Sequence, residues 1–190
     1  MTAPYLPPGG VPLAQMKVDR SWTAVSVPSV WGGLVVDVLG EQGGPVMEDP
    51  ALRLLTWPLP PGGGASWPDA GAAAITWHGP GALLVMPGLG GYHDGTRWLR
   101  PPIPGRLFTD PDLLRAAIEF VAGPLEDAAR LGPLTVCRYC GTPTRDAVVV
   151  EEFAAASGAG YQSHACRRCW LATLHGEDGR HLHVVKAGPL

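Results

Sequence analysis

The 190-residue chain contains no asparagine, only two lysines (Lys17 and Lys186) and three isoleucines. That bias points to a GC-rich coding sequence such as an actinobacterium's, which speaks to origin and not to function. No segment approaches the ~20 consecutive apolar residues of a membrane span. The N-terminal stretch MTAPYLPPGGVPLAQMK lacks both an early basic region and an apolar run, so no signal peptide is expected. Without export the cysteines would sit in a reducing cytoplasm, where structural disulfides are uncommon. Positive charge is scarce as well. Residues 1–133 hold eight Lys/Arg against twelve Asp/Glu and residues 134–190 hold six against five, for a formal net charge of −3. Neither part has the strong positive field of a protein that binds by neutralising phosphates, which disfavours sequence-independent nucleic-acid binding.

Several catalytic signatures are also missing. There is no G-x-S-x-G, and GLGGYHDG lacks the lysine and following helix of a phosphate loop. A magnesium-dependent polymerase or nuclease needs at least two converging carboxylates, and the candidates are Asp37, Glu48, Asp49 and Asp94. Asp37 falls in a helix-like run, Asp49 precedes a proline in a turn, and neighbours on a strand such as Glu48 and Asp49 point to opposite faces. Asp94 follows His93 in a Gly-rich loop, the one place where a small active site could hide. Asp49, His93 and Asp94 are therefore the weak catalytic candidates.

What is present is a chain 46% hydrophobic, enough for a core, with 26 Gly and 21 Pro that punctuate apolar runs without forming one tract. The expected class is α+β: a small mixed or antiparallel sheet with two or three helices over residues 20–131, preceded by a flexible arm (1–19) and followed by a β-rich module (134–190). WTAVSV (22–27) reads as a strand, and Pro28 opens a helix that Gly40 stops. PVMED (45–49) and LRLLTWPL (52–59) are strands around an Asp49-Pro50 turn. AAITWH (73–78), ALLVMPG (82–88) and Arg97–Arg100 follow as short strands, with PPGGGASWPDAG left as a loop. Thr109-Asp110-Pro111 caps the clearest helix, along which Leu113, Leu114, Ala117, Ile118 and Val121 recur at helical spacing. A second short helix should reach Arg130. Beyond Leu131-Gly132-Pro133, AVVVEEF (147–153), Trp170–His175 and His181–Lys186 read as strands.

The four cysteines form two C-x2-C pairs, Cys137/Cys140 and Cys166/Cys169. A tight turn within each pair aims two thiolates at one ion, and two such loops complete a tetrahedral shell. Soft thiolates in that geometry favour structural Zn2+, with iron the usual competitor. Gly141 suits the turn, because glycine tolerates the left-handed conformation. Neither pair sits at the strand-to-helix junction of a βαβ unit, as a thioredoxin-type pair would. His164 is a substitute ligand or a neighbouring surface residue, and His181 and His183 share one face of a strand. Arg138, Tyr139, Arg167 and Arg168 lie inside the two knuckles and form a basic-aromatic surface suited to a DNA backbone or an acidic protein partner.

WTAVSVP (22–28), GPVMEDP (44–50), RWLRPP (97–102) and TDPDLLRAA (109–117) occur in an order that resembles actinobacterial proteins related to the N-terminal domain of bifunctional primase-polymerases, over roughly residues 20–122. The resemblance implies a related α+β scaffold with a metal knuckle appended. That family's acidic metal ligands do not map onto this chain, so the implied domain is catalytically degenerate. The expected function is that of a cytoplasmic, non-enzymatic zinc-binding protein that engages DNA or a protein partner in regulation or replication. A primase-polymerase or nuclease-class enzyme and a pure protein adaptor are the alternatives.

Overall fold

A computed structural model describes residues 3–9, 11–89, 95–128, 133–155 and 158–174, with backbone only for 153–155 and 158–161. The chain is α+β, and it divides into two compact units, Met1–Gly132 and Pro133–Leu190.

The first unit is built on five antiparallel strands in the order β5-β2-β4-β3-β7. These are β2 (Thr23–Pro28), β3 (Val46–Asp49), β4 (Leu54–Leu59), β5 (Thr76–His78) and β7 (Arg97–Arg100). The central strands β2 and β4 show no apolar–polar alternation because they are covered on both faces. Val25 and Val27 pair with Trp57 and Leu55 on one face, while Ala24, Ser26 and Thr56 point to the other. Helix α1 (Ser29–Leu39) covers the first face and packs against α2 (Pro111–Ala122). Gly32 permits the close approach: a Cβ there would meet Val27 Cγ2 at 2.9 Å and Leu55 Cδ1 at 3.0 Å. The N-cap of α2 is Asp110, whose carboxylate accepts from Asp112 N and Leu113 N at 2.9 and 3.0 Å. Thr109 instead ties the helix entry to the sheet, its hydroxyl donating to the Pro45 carbonyl.

The opposite face is covered by a segment expected to be a free arm. Its anchors are packed down: Ala3, Tyr5 and Val18 are buried with Trp22, Ala24, Met47 and Met86. The Tyr5 ring lies 5.6, 6.0 and 5.7 Å from those of Trp22, Trp98 and Phe108, and its hydroxyl donates to the Leu107 carbonyl. Strand β1 (Leu13–Lys17) pairs with β6 (Leu83–Pro87) in a separate antiparallel ribbon. The physical reason is that the Ala24–Met47–Trp98 face is apolar and needs a cover, and the ribbon supplies Met16, Leu84 and Met86. The helix expected to reach Arg130 is, in its described part, a single 3-10 turn at Leu125–Asp127.

The described residues of the second unit form two hairpins and a helix. Strands β8 (Thr135–Val136) and β9 (Pro143–Thr144) pair around the first knuckle, and β10 (Ala147–Ala155) pairs with β11 (Gly158–Cys166). Trp170–His175 was expected as a strand, but the chain turns into helix α3 (Arg167–Leu174) directly after Cys166. Leu171, Ala172 and Leu174 are strong helix formers and the stretch lacks alternation. The Thr173 hydroxyl donates back to the Cys169 carbonyl at 2.8 Å. The expected strand His181–Lys186 lies outside the described residues. No helix among the described residues is long and apolar enough to cross a membrane.

Candidate metal centre

Cys137 and Cys140 lie in the loop between β8 and β9. The Cys137 amide donates to the Thr142 carbonyl at 3.0 Å, and the Gly141 amide donates back to the Cys137 carbonyl at 2.8 Å. That turn needs φ of +70° at Gly141, the left-handed region that glycine enters without strain. Cys166 ends β11 and Cys169 sits in the first turn of α3. Backbone bonds bring the knuckles together: Arg138 N donates to His164 O at 2.9 Å and Arg167 N to Asp146 O at 3.2 Å.

The four Sγ atoms lie within 4.8 Å of one another, and Cys140 and Cys166 are 4.0 Å apart. This is far from the S–S bond length of about 2.0 Å, and all four cysteines are free thiols. It is close to the edge of about 3.8 Å in a tetrahedron with 2.3 Å metal–sulfur bonds. Among the described residues this is the one His/Cys/Asp/Glu group able to hold a metal ion, and the His164 ring is not part of it. His181 and His183 lie outside the described residues.

Thiols this close do not ionise independently. The Thr142 hydroxyl and amide stabilise the Cys140 thiolate and hold its pKa down at about 6. Burial opposes ionisation of Cys137, but donors from the backbone of Cys166, Cys140 and Tyr139 outweigh it and lower the pKa. Cys169 is pushed up to about 12, chiefly by its hydrogen bond with Cys166, then by burial and the other two thiols. A cation at the centre would remove this conflict by favouring all four thiolates, with release of their protons.

The basic-aromatic surface is more neutralised than its sequence suggests. Arg138 pairs with Glu151, donates to Ser163 Oγ at 3.0 Å and lies 5.6 Å from the Tyr139 ring centroid. Arg167 faces Asp146 at 3.9 Å. Of the three knuckle arginines, Arg168 alone has no carboxylate partner among the described residues. Glu151 and Ser163 escaped notice in the sequence because they meet Arg138 only through the β10–β11 register.

Of the catalytic candidates Asp49, His93 and Asp94, Asp49 alone lies among the described residues. Asp49 Oδ1 accepts from Leu52 N at 2.9 Å within the β3–β4 turn, and Thr96 Oγ1 donates to Oδ2 at 3.4 Å. Glu48 is held by Arg97 at 2.7 Å. His93 and Asp94 lie outside the described residues. No protein-family model, curated protein or solved structure matches this chain.

Proposed function

We propose that this is a non-enzymatic protein whose second unit is held by structural Zn2+ and recognises a protein partner. The observation that carries the reading is the convergence of four thiols within 4.8 Å. Four cysteine ligands fill a tetrahedral shell and leave no open position for a substrate, which supports a structural ion. Soft sulfur ligands favour zinc, and an iron centre would use the same set. The choice of a protein over DNA rests on charge. Arg138 and Arg167 already face carboxylates, and the chain's formal net charge is −3, so little free cation remains for phosphates.

Metal analysis of the purified protein tests the ion: one zinc per chain is expected, and a folded, metal-free second unit refutes the reading. A visible charge-transfer band would assign iron instead. DNA binding that weakens steeply with salt would overturn the choice of a protein partner. The resemblance of residues 20–122 to primase-polymerases supports a shared scaffold, and magnesium-dependent nucleotide incorporation that is lost in Asp49→Ala would replace the non-enzymatic reading with that enzyme class.

A further inference from the structure

A cleft of about 370 Å³ opens at the β5 edge of the first unit's sheet, within the size range of small-molecule sites. Its walls include Gly64, Trp67 and Asp69 from the loop after β4, and Trp77 from β5, with Val25 of β2 behind them. The run Gly62-Gly63-Gly64 has a specific use here. Gly64 has φ of +76°, and a Cβ on it would stand 2.9 Å from Trp77 Cδ1; one on Gly79 would stand 2.3 Å from Trp77 Cη2. The indole is thus gripped between two glycine backbones, and its Nε1 donates to the Gly63 carbonyl at 2.9 Å. Despite these three contacts Trp77 remains 42% exposed. An aromatic ring fixed this firmly has already lost the freedom that binding would otherwise cost, and its open area is a preorganised contact surface.

The chemistry of the lining selects the ligand. Trp67 and Trp77 offer electron-rich indoles, and Asp69 adds a carboxylate whose Oδ1 is fixed by the Gly71 amide at 3.0 Å. Among the described residues no lysine, arginine or histidine lines the cleft. Indoles and a carboxylate attract an organic cation, above all one whose methyl groups also gain apolar contact. We propose that this cleft binds a methylated alkylammonium group, carried by a free quaternary amine or by a methylated lysine side chain. The site is separate from the cysteine cluster in sequence and chemistry, and its test does not depend on the metal.

The test is a titration of the full-length, 15N-labelled protein, read at the indole N–H resonances of Trp67 and Trp77. The probes are choline, its neutral isostere 3,3-dimethylbutanol, and the amide of N-acetyl-trimethyllysine. Choline or the lysine derivative should shift both indoles saturably, and the neutral isostere should bind about tenfold more weakly. The tighter of the two cations identifies the source of the ligand. Asp69→Asn keeps an oxygen for the Gly71 amide and should weaken the cations several-fold while leaving the neutral isostere unchanged. Trp77→Ala should abolish binding, with Trp67→Ala as a second variant if the first fails to fold. Equal affinity for the neutral isostere, or no saturable shift at either indole with either cation, would overturn the proposal.

Discussion

The two units are stabilised by different means. The first buries large side chains on both faces of its sheet, including Trp22, Trp31, Trp57, Tyr5, Leu59 and Ile118. Among the described residues of the second, only Leu134, Cys137 and Ala165 are buried and hydrophobic. A unit of fewer than about 60 residues with so little apolar burial does not offset its chain entropy without a cross-link or a metal. A metal held by the cysteine cluster would supply the stabilisation that so small a described core does not. The lesson is that a metal site can stand in for a hydrophobic core, and the two units should then fail under different perturbations.

The largest expected effect is metal removal. Structural zinc contributes about 10–16 kcal/mol to such folds, so a strong chelator, or Cys166→Ser, should unfold the second unit completely. Limited proteolysis would then cut within residues 133–190 and leave the first unit intact. A second unit that stays protease-resistant after demonstrated metal loss would break the comparison. The reciprocal experiment is Leu59→Ala, which truncates a fully buried side chain of β4. It should cost about 2–5 kcal/mol in the first unit and leave the metal content unchanged. Loss of metal in this variant would show that the two units are not energetically separate. A smaller effect is expected from Asp110→Ala, which removes the N-cap of α2 at about 1 kcal/mol. It should lower the denaturation midpoint of the first unit alone, as followed by tryptophan fluorescence.

What the sequence revealed follows the same division. Helix α1 was legible between Pro28 and Gly40, and α2 from its cap and its spacing of Leu114, Ala117 and Ile118, because both rest on local signals. The C-x2-C spacing announced the cysteine cluster for a similar reason, since each pair falls within four consecutive residues. Tyr5 was not legible as a core residue: prolines and glycines surround it, and its partners Trp22, Trp98 and Phe108 are distant in sequence. Helix α3 was misread as a strand because the knuckle, and not a periodic apolar face, sets its start. The grip on Trp77 was hidden in PPGGGASWPDAG, where the glycines read only as loop until β5 brings the indole against them.

The smallest expected effect separates the units by pH. On the covered face of the first sheet, His78 Nε2 lies 2.8 Å from Ser26 Oγ, which in turn meets Thr56 Oγ1 at 2.7 Å. Burial holds the His78 pKa below its ordinary 6.5, so the unfolded chain takes up this proton more readily than the folded one. The contribution of neutral His78 is therefore complete above about pH 6.5 and is lost as pH falls from there towards the folded-state value. The second unit should respond to acid differently, because protons compete with the metal for thiolates and unfolding follows metal release. Denaturant midpoints at pH 7.5 and 5.5 test this, with tryptophan fluorescence reporting mainly on the first unit, which holds six of the seven tryptophans. The natural chain should lose more stability between the two pH values than His78→Gln does, while metal release follows the same pH course in both proteins. Equal losses in the first unit would mean that the Ser26–His78 contact does not govern its acid response, and a shifted metal-release curve would mean that the two units communicate through it.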